Sequence, residues 1–335
     1  MKLLASPQFR RLITALSVAL VAAALAPHSL AGDPSKDAKV IPPPAETTPL
    51  FNVLLQLEVS DKYLTPRGMI VRESGLTVQP LALLFLNAYR GEGFINSLTF
   101  VGGVWNDLGT HAVSVHAPYG SSPKTGWTET DAIAGIAVGF AKRFKLEVTY
   151  TPFAEYILDI PTSHHLETKL SFDDTDVLGD FALHPYFSYW QELYQKSTDA
   201  QVPYTVFGPS AASGKHPQPG SSFYFDLGIK PGYTFKSLGD LRIEAPCRML
   251  IADNRFYGEY YRGTSTLSVG LYEVGLKATL PLNFMPKEVG HWSVYAGGRY
   301  VNFANYNLNH LNAFNAPGEA VEDTWQVYGG LSIFY

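Results

Sequence analysis

The carboxyl-terminal stretch Trp325-Gln-Val-Tyr-Gly-Gly-Leu-Ser-Ile-Phe-Tyr335 decides the fold. Counted back from Tyr335, every second residue is apolar, aromatic or glycine, and the residues between them are largely small or polar. Successive strand side chains point to opposite faces, so this period predicts a strand with one apolar face. Roughly ten steps of about 3.3 Å, tilted near 40°, span about 25 Å, which is the height of the apolar band of a membrane barrel. The alternative is an amphipathic edge strand of a soluble sheet.

Alternating segments of this kind recur along the chain from Phe51 onward, and turn residues bound each of them. No helical period extends over comparable lengths. The predicted strands are Asn52–Leu64, Leu76–Leu86, Ile95–Trp105, Thr130–Phe140, Phe144–Pro152, His165–Phe172, Leu183–Gln191, Phe223–Thr234, Leu241–Leu250, Leu267–Leu280, Trp292–Phe303 and Thr324–Tyr335.

The connections between these strands alternate in length. Even-numbered connections are short or moderate, such as Ala141-Lys142-Arg143, whereas odd-numbered ones are mostly longer, such as Asn106–Glu129, Glu192–Ser222 and Ala304–Asp323. Outer-membrane barrels have short periplasmic turns and long extracellular loops, and an even strand number leaves both termini in the periplasm. The sequence therefore predicts an all-β, transmembrane antiparallel β-barrel of about twelve strands over residues 51–335.

The amino terminus predicts secretion. Residues 1–31 combine the basic residues Lys2, Arg10 and Arg11 with an apolar run and a small-residue cleavage site at Ser29-Leu30-Ala31, which is the pattern of a cleaved signal peptide. The alternative, an anchor helix, is disfavoured because the run is short. Residues 32–50 contain five prolines, and this composition predicts an extended periplasmic leader.

Composition agrees with a barrel in the cell outer membrane. Aromatic residues make up 13% of the chain, charged residues 16%, and mean hydropathy is −0.01, as expected when lipid-facing and inward-facing residues alternate. The predicted signal holds three of the basic residues and no acidic one, so its removal takes the net charge from −5 to −8. With no basic stripe, nucleic acid is excluded as a partner. Cys247 is the single cysteine, and we expect it to act as a small apolar residue.

The faces opposite the apolar ones carry charges of both signs, which are costly against lipid, at about 2–4 kcal/mol for Lys or Arg near the midplane. One interpretation is that they line a polar channel; the other is that they pair across strands and fill the interior. The candidate pore-lining residues are Glu58, Lys145, Glu147, Glu167, Lys169, Asp226, Lys230, Arg242, Glu244, Arg248, Glu273, Lys277 and Arg299.

No catalytic, metal or cofactor site is predicted. Ser188 follows His184 and Ser293 follows His291, but neither serine lies in a nucleophile motif such as G-x-S-x-G. The adjacent pair His164-His165 has no third ligand at metal-site spacing. The run Asp173-Asp174-Thr175-Asp176 lacks the glycine and distal glutamate of a calcium loop, and we interpret it as a solvated turn.

Several short motifs resemble those of the TorF-like porin family of Gram-negative outer membranes. They are Asp61-Lys62-Tyr63 with Arg67-Gly68, Val78-Gln79-Pro80, Gly103-Val104-Trp105-Asn106 and Glu129-Thr130-Asp131. The resemblance covers roughly the first 130 residues; Thr65-Pro66 lengthens the gap before Arg67 by about one residue, and loop Glu192–Ser222 is longer than in the family. The resemblance implies a barrel with a transport function.

The closing strand also resembles the insertion signal of bacterial outer-membrane proteins, through Trp325, Val327, Leu331, Ile333 and Tyr335. This resemblance implies outer-membrane lipid, lipopolysaccharide and the barrel-assembly machinery as partners. The sequence thus predicts a non-enzymatic, porin-like channel for passive diffusion of small polar solutes. The alternative is a non-conducting outer-membrane barrel that acts as a lipid-directed enzyme or a surface-binding protein.

Overall fold

The computed structural model describes residues 49–111, 126–156, 162–194, 222–257, 267–313 and 320–335. The predicted signal peptide and nearly all of the predicted leader lie outside these ranges, and both stay predictions. Parts of the long odd-numbered loops lie outside them as well.

The described chain is dominated by strands. These are β1 (Phe51–Ser60), β2 (Tyr63–Leu64), β3 (Ile70–Arg72), β4 (Thr77–Arg90), β5 (Ile95–Gly109), β6 (Gly126–Phe140), β7 (Phe144–Glu155), β8 (Ser163–Phe172), β9 (Tyr186–Tyr194), β10 (Phe223–Ile229), β11 (Gly232–Phe235), β12 (Leu241–Glu244), β13 (Cys247–Asp253), β14 (Leu267–Pro281), β15 (His291–Phe303) and β16 (Asp323–Phe334). Two short helices are described, α1 (Thr175–Leu178) and α2 (Tyr306–Leu311), together with four single 3₁₀ turns at Gly179–Phe181, Lys236–Leu238, Asn254–Tyr257 and Lys287–Val289.

All strands except β2 and β3 form one closed antiparallel barrel. It has twelve strands, because β10 with β11 and β12 with β13 each make up one interrupted barrel strand. Each barrel strand pairs with its neighbour in the chain, and β16 returns to pair with β1 in a register that includes Leu57↔Leu331 and Glu58↔Gly330. Tyr335 and Val53 exchange two backbone hydrogen bonds of 2.7 and 2.8 Å at the end of this seam. The closure satisfies backbone groups that lipid cannot satisfy, and it confirms the predicted fold class.

Two barrel strands are interrupted where the sequence predicts continuous ones. Predicted strand Phe223–Thr234 is divided into β10 and β11 at Pro231, and Leu241–Leu250 is divided into β12 and β13 at Pro246. Proline has no N–H to donate to a ladder, so each strand breaks there. The gap is bridged by the proline carbonyls, which accept from the N–H groups of Ala245 and Gly275, both at 2.8 Å.

The first predicted strand, Asn52–Leu64, is also corrected. The barrel strand β1 ends at Ser60, and Tyr63–Leu64 belongs to a separate two-stranded hairpin of β2 and β3. Asp61 terminates β1 because its N–H donates to the Val327 carbonyl at 3.2 Å and its carboxylate accepts from the Val327 N–H at 3.0 Å. Beyond Asp61 the chain turns away from the wall.

The outer face of the barrel is apolar around its circumference. Large side chains that are more than a third exposed occur on this face of strand after strand, and they include Leu55, Leu84, Phe100, Leu146, Leu170, Phe187, Leu227, Val274 and Val294. The register pairs such residues with one another, as in Leu146↔Leu170 and Leu170↔Phe187. An exposed apolar belt of this extent requires a nonaqueous neighbour.

Aromatic rings border this belt at both ends. At the end with the short turns, Phe94, Phe140, Phe144 and Phe172 form a row with successive centroids 5.8, 5.4 and 5.0 Å apart. At the opposite end, Tyr300 and Trp325 lie 5.0 Å apart, and Trp127 contacts Tyr156 at 5.5 Å. Rings at both edges are typical of the two membrane interfaces.

We expect Leu55→Arg to destabilise the barrel by about 2–4 kcal/mol, because an arginine near the middle of the outer face lies in hydrocarbon. Gln56→Arg, one residue along on the inner face, is the matched control and should change stability by less than about 1 kcal/mol. Urea unfolding of both variants in lipid vesicles measures the difference. An equal loss of unfolding free energy in the two variants would show that the outer and inner faces of β1 are assigned wrongly.

Candidate functional site

The connection from β1 to β4 folds into the barrel interior. Residues 61–73, here called the inner hairpin, contain β2, β3 and the turn between them. Almost all of these side chains are buried; Lys62, Tyr63, Met69 and Arg72 are each less than a tenth exposed. Since β1 begins on the side of the short turns, the inner hairpin enters the barrel from the extracellular end.

The barrel interior holds the hairpin mainly through its backbone carbonyls. Between residues 62 and 68, five backbone carbonyls each accept a hydrogen bond from a side chain outside the hairpin. The bonds run from Gln326 to Lys62 O (2.7 Å), Arg299 to Leu64 O (3.0 Å), Arg248 to Pro66 O (2.7 Å), Tyr257 to Arg67 O (2.8 Å) and Asn312 to Gly68 O (2.9 Å). Asn312 also accepts from the Ile70 N–H at 2.9 Å, so the hairpin is docked from several sides.

Two of these donors belong to an ionic network on the inner face. Arg248 binds Asp226 at 2.9 Å and Glu273 at 2.8 Å, and Arg299 lies 3.4 Å from Glu273. The four side chains come from the neighbouring strands β10, β13, β14 and β15. Arg248 lies directly opposite Glu273, whereas Asp226 is paired with Leu250 and Arg299 with Gly275, each two positions along the strand from its ionic partner. The carboxylates orient the two guanidinium groups, whose remaining N–H groups then point at the hairpin.

The far end of the hairpin is anchored by a second, fully buried ion pair. Arg72 and Asp107 lie 2.9 Å apart with both side chains 0% exposed. Asp107 also accepts from Gln79 at 3.1 Å and from the Thr128 hydroxyl, and Arg72 donates to Thr77 at 2.9 Å. Gly109 packs so closely against the Arg72 guanidinium that a Cβ there would collide with it. The pair is therefore enclosed on all sides by polar partners.

An apolar core completes the docking. Leu64, Met69 and Ile70 of the hairpin pack with inward-facing residues of the wall, with the turn after β13 and with α2. The other members of this cluster are Tyr224, Leu250, Ala252, Phe256, Tyr257, Leu271, Val301, Phe303, Leu308 and Leu311. Burial of this kind stabilises at about 25 cal/mol per Å² of apolar area, so the hairpin is part of the folded core.

The thirteen candidate pore-lining residues lie on the inner face, and three pairs of them are direct cross-strand partners: Glu147↔Lys169, Glu244↔Lys277 and Arg248↔Glu273. Asp226, Arg248, Glu273 and Arg299 belong to the docking network. The others lie elsewhere on that face: Glu58 accepts from Tyr295 (3.1 Å), Lys145 pairs with Glu147 (3.0 Å), Glu167 accepts from Ser188 (2.7 Å), Arg242 pairs with Glu244 (3.1 Å), Lys169 and Lys230 stand over the Tyr186 ring (4.9 and 5.5 Å), and Lys277 stands over Tyr295 (4.4 Å). Whether solutes pass them stays a prediction.

Beside the hairpin lies a cavity of about 310 Å³. Its lining includes Tyr63 and Arg67 of the hairpin and Gln79, Trp105, Glu129 and Asp131 of β4, β5 and β6. These six side chains come from the short motifs that carry the family resemblance. The structure thus brings together residues that are up to about seventy positions apart in sequence.

Sequence reasoning missed the hairpin and most of its anchors, including Arg72, Asp107, Asn312 and Gln326. One signal was present. Met69-Ile70-Val71 is an apolar run inside a connection that was expected to be solvent-exposed, and all three residues are buried. Gln326 was visible as a polar residue on the inward face of the closing strand, but nothing local indicates its partner.

The serine–histidine pairs considered from the sequence find other partners. Ser188 donates to Glu167 at 2.7 Å, and His184 lies 3.8 Å from both Asp173 and Asp174. A different pair was overlooked: Ser163 and His165 are buried on one face of β8, with Oγ and Nε2 2.6 Å apart.

The geometry of this overlooked pair does not suit nucleophilic catalysis. The indole of Trp190 donates to His165 Nδ1 at 3.0 Å, and indole nitrogen is only a donor. A neutral His165 therefore carries its proton on Nε2 and donates to Ser163, so it cannot take the serine proton as a general base. That the protein is not an enzyme stays a prediction.

On the periplasmic turn after β8, Asp173, Asp174 and His184 place one ligand atom each within 4.8 Å of one another. The carboxylates already have local donors. Thr175 donates its N–H and hydroxyl to Asp173 at 3.0 and 2.6 Å, which holds the pKa of Asp173 below its ordinary value, and Asp174 accepts from the N–H groups of Leu183 and His184, both at 2.9 Å. These bonds account for the cluster as a structured turn.

Comparison with known proteins gives fold-level likeness only. No protein-family model matches the sequence, and no curated protein matches it. Among solved structures, the chain is similar to a KdgM porin (10% identity, 84% of this chain and 98% of that chain, TM-score 0.39) and to the COG4313 outer membrane channel from Pseudomonas putida F1 (10%, 89% and 100%, 0.43). It is also similar to outer membrane phospholipase A from Escherichia coli (16%, 84% and 92%, 0.38).

Location follows from the chain's own surface. Within the described ranges, no helix has both the length and the apolar character needed to cross a membrane. The strands close into a barrel with an apolar outer belt bordered by aromatic rings at both ends. A barrel of this construction is stable only in lipid. The protein is an outer-membrane β-barrel.

Proposed function

We propose that the protein is a porin-like channel for passive diffusion of small polar solutes across the outer membrane, and that the inner hairpin sets its narrowest part. The observation that carries this proposal is the contrast between an apolar outer face and an inner face that carries charged side chains of both signs, some of them paired directly across strands. Charged side chains that surround a narrow passage let a channel admit water and select solutes. The resemblance to the TorF-like porin family supports the same function.

The strand number is compatible with a narrow passage. Barrels of about eight strands are filled by side chains, whereas those of 16 to 18 strands leave a wide aqueous channel. Twelve strands lie between these sizes, and part of the interior is taken by the inner hairpin. The space beside the hairpin, on the β4–β9 side, is where we place the route, because the cavity lies there.

We also propose the partners that the outer surface suggests. The aromatic borders suit outer-membrane lipid and lipopolysaccharide, since indole and phenol rings have an apolar body and a polar tip. Trp325, Val327, Leu331, Ile333 and Tyr335 share the outward face of the last strand, as an insertion signal for the barrel-assembly machinery requires. Tyr335 is 65% exposed at the chain end.

Planar-bilayer recording of refolded, heat-modifiable protein tests the proposal. We expect discrete conductance steps, and swelling of liposomes in small neutral solutes. The refolding buffer carried through the same procedure without protein is the control for leakage. Insertion without any conductance step or swelling would reject the channel.

A second function is favoured by one observation, namely that the hairpin is held by hydrogen bonds from several sides and by a buried ion pair. A plug held so firmly is compatible with a non-conducting barrel that binds ligands at the cell surface or acts on lipid. Liposomes that fail to swell with the native protein but swell with a hairpin-deleted variant would favour this reading.

A further inference from the structure

The cavity beside the inner hairpin has two aromatic walls. On one side Tyr63 of the hairpin and Trp105 of β5 have their ring centroids 5.6 Å apart. On the other side Phe153, Trp190 and Tyr224 follow one another across the wall, with centroids 6.1 and 5.7 Å apart and neighbouring planes inclined by only 11° and 14°. The second wall is therefore an offset stack of three nearly parallel rings, with Trp190 in the middle.

The Arg67 guanidinium lies 4.6 Å from the Phe153 ring centroid and covers that end of the stack. Trp190, the middle ring, is fixed by its hydrogen bond to His165. Rings held in this way offer apolar contacts without loss of conformational freedom on binding.

Planar polar side chains line the cavity between the two aromatic walls. Glu58, Glu129 and Asp131 supply carboxylate oxygens, and Arg67 and Arg299 supply N–H groups. Glu129 accepts from Tyr63 at 2.7 Å, Glu58 accepts from Tyr295 at 3.1 Å, and Arg299 donates to Gln326 at 2.6 Å. These bonds orient the polar groups, and the lining carries both donors and acceptors with charges of both signs.

We propose that this cavity binds neutral polyhydroxy solutes of about the size of one sugar ring, with the ring's C–H groups against the two aromatic walls and its hydroxyls between the carboxylates and guanidinium groups. The proposal names the solute class of the channel proposed above and so rests on it. A hydroxyl both donates and accepts, so a polyol can use both kinds of partner at once. A volume of about 310 Å³ lies at the lower end of ordinary ligand pockets.

Other solute classes fit the lining less well. A purely apolar solute would desolvate the carboxylates and guanidinium groups without replacing their hydrogen bonds. A charged solute is attracted by one set of these groups and repelled by the other, and it gives up its hydration on entering, so little net gain remains. A neutral amphipathic ring avoids both costs.

The test is isothermal titration calorimetry on the full-length barrel in detergent, with methyl glucoside as probe. Glucosamine, glucuronate and cyclohexanol are the cationic, anionic and apolar comparators of similar size. We expect saturable, millimolar binding of methyl glucoside and weaker binding of all three comparators. Trp190→Leu and Trp105→Leu should each weaken binding about tenfold, and Trp105→Phe, which keeps a ring, should weaken it less.

Trp292→Leu is the matched control, because Trp292 lies on the outer face near the periplasmic end and its indole N–H donates to Val289 O in the preceding turn, at 2.9 Å. It should bind as the native protein does. Two aromatic walls are probed separately, so one variant that fails to fold leaves the other as a test. No saturable binding of methyl glucoside, or tighter binding of any comparator, would overturn the proposal. Calorimetry needs no conduction: binding by a barrel that never conducts would reject the channel alone, and conduction without binding would reject only the solute class.

Discussion

A barrel in which residues 62–72 are replaced by a short Gly-Ser linker will conduct severalfold more current than the native protein. The inner hairpin spans the interior from Gln326 and Arg299 on one side to Asp107 on the other, so its removal widens the narrowest part of the channel. The barrel wall keeps every strand pair, because the hairpin strands β2 and β3 pair only with each other in the described chain. Single-channel conductance in planar bilayers measures the change.

A second variant keeps the inner hairpin but weakens the hydrogen bonds that hold it in the barrel. The double variant Arg248→Gln, Asp226→Asn replaces the guanidinium that donates to Pro66 O with a shorter amide. It also removes the negative charge of Asp226, which pairs with Arg248 in the native protein. We expect this double variant to show the native conductance with added flicker, or a step between the native and the hairpin-free values. Heat-modifiable gel mobility confirms folding of both variants. A hairpin-free barrel that is folded and inserted but keeps the native conductance would show that the constriction lies elsewhere.

Arg72→Met will lower the free energy of unfolding by about 3–5 kcal/mol, because it leaves Asp107 as a buried carboxylate without its cation. Gln79 and Thr128 still donate to Asp107, but neither supplies a charge. The side chain of methionine has similar length, so lost volume contributes little. Urea unfolding in lipid vesicles, followed by tryptophan fluorescence, gives the difference.

The chain contains a matched exposed pair. Arg143 and Asp176 lie 2.5 Å apart on periplasmic turns, with side chains 42% and 57% exposed. Arg143→Met should cost less than about 1 kcal/mol, since solvent screens an exposed pair. Similar losses in the two variants would mean that burial of the Arg72–Asp107 pair has no energetic consequence. A near-native Arg72→Met, Asp107→Leu double variant would support the charge explanation.

The strands were predictable because their signal is local. In β16, as in β4 or β15, each residue's face follows from its neighbours two positions away, so lipid-facing and inward-facing sets can be assigned without knowing the partners. Where prediction was wrong, the local signal was overridden. Pro231 and Pro246 break strands that otherwise keep period two, and Tyr63–Leu64 continue the pattern of β1 but pair with β3 instead.

The candidate site was less predictable because its residues meet only after the barrel closes. The sequence placed thirteen charges on the inward faces of its predicted strands, but their division into a docking network and the remaining residues depends on where the inner hairpin lies. Glu129, Trp105 and Gln79 appeared only as family-like motifs, and their common cavity is formed by β4, β5, β6 and a hairpin from another part of the sequence.

The amino-acid sequence by itself determined the barrel and its two faces, and it placed the start of the first strand and the end of the last strand on one side, since alternation along a strand and turn length are properties of consecutive residues. Only the tertiary structure decided that the first connection enters the interior. That arrangement depends on contacts such as Lys62 with Thr324 and Arg299 with Leu64 O, which join residues more than two hundred positions apart. No local period encodes such contacts, because they form only when the last strand pairs with the first.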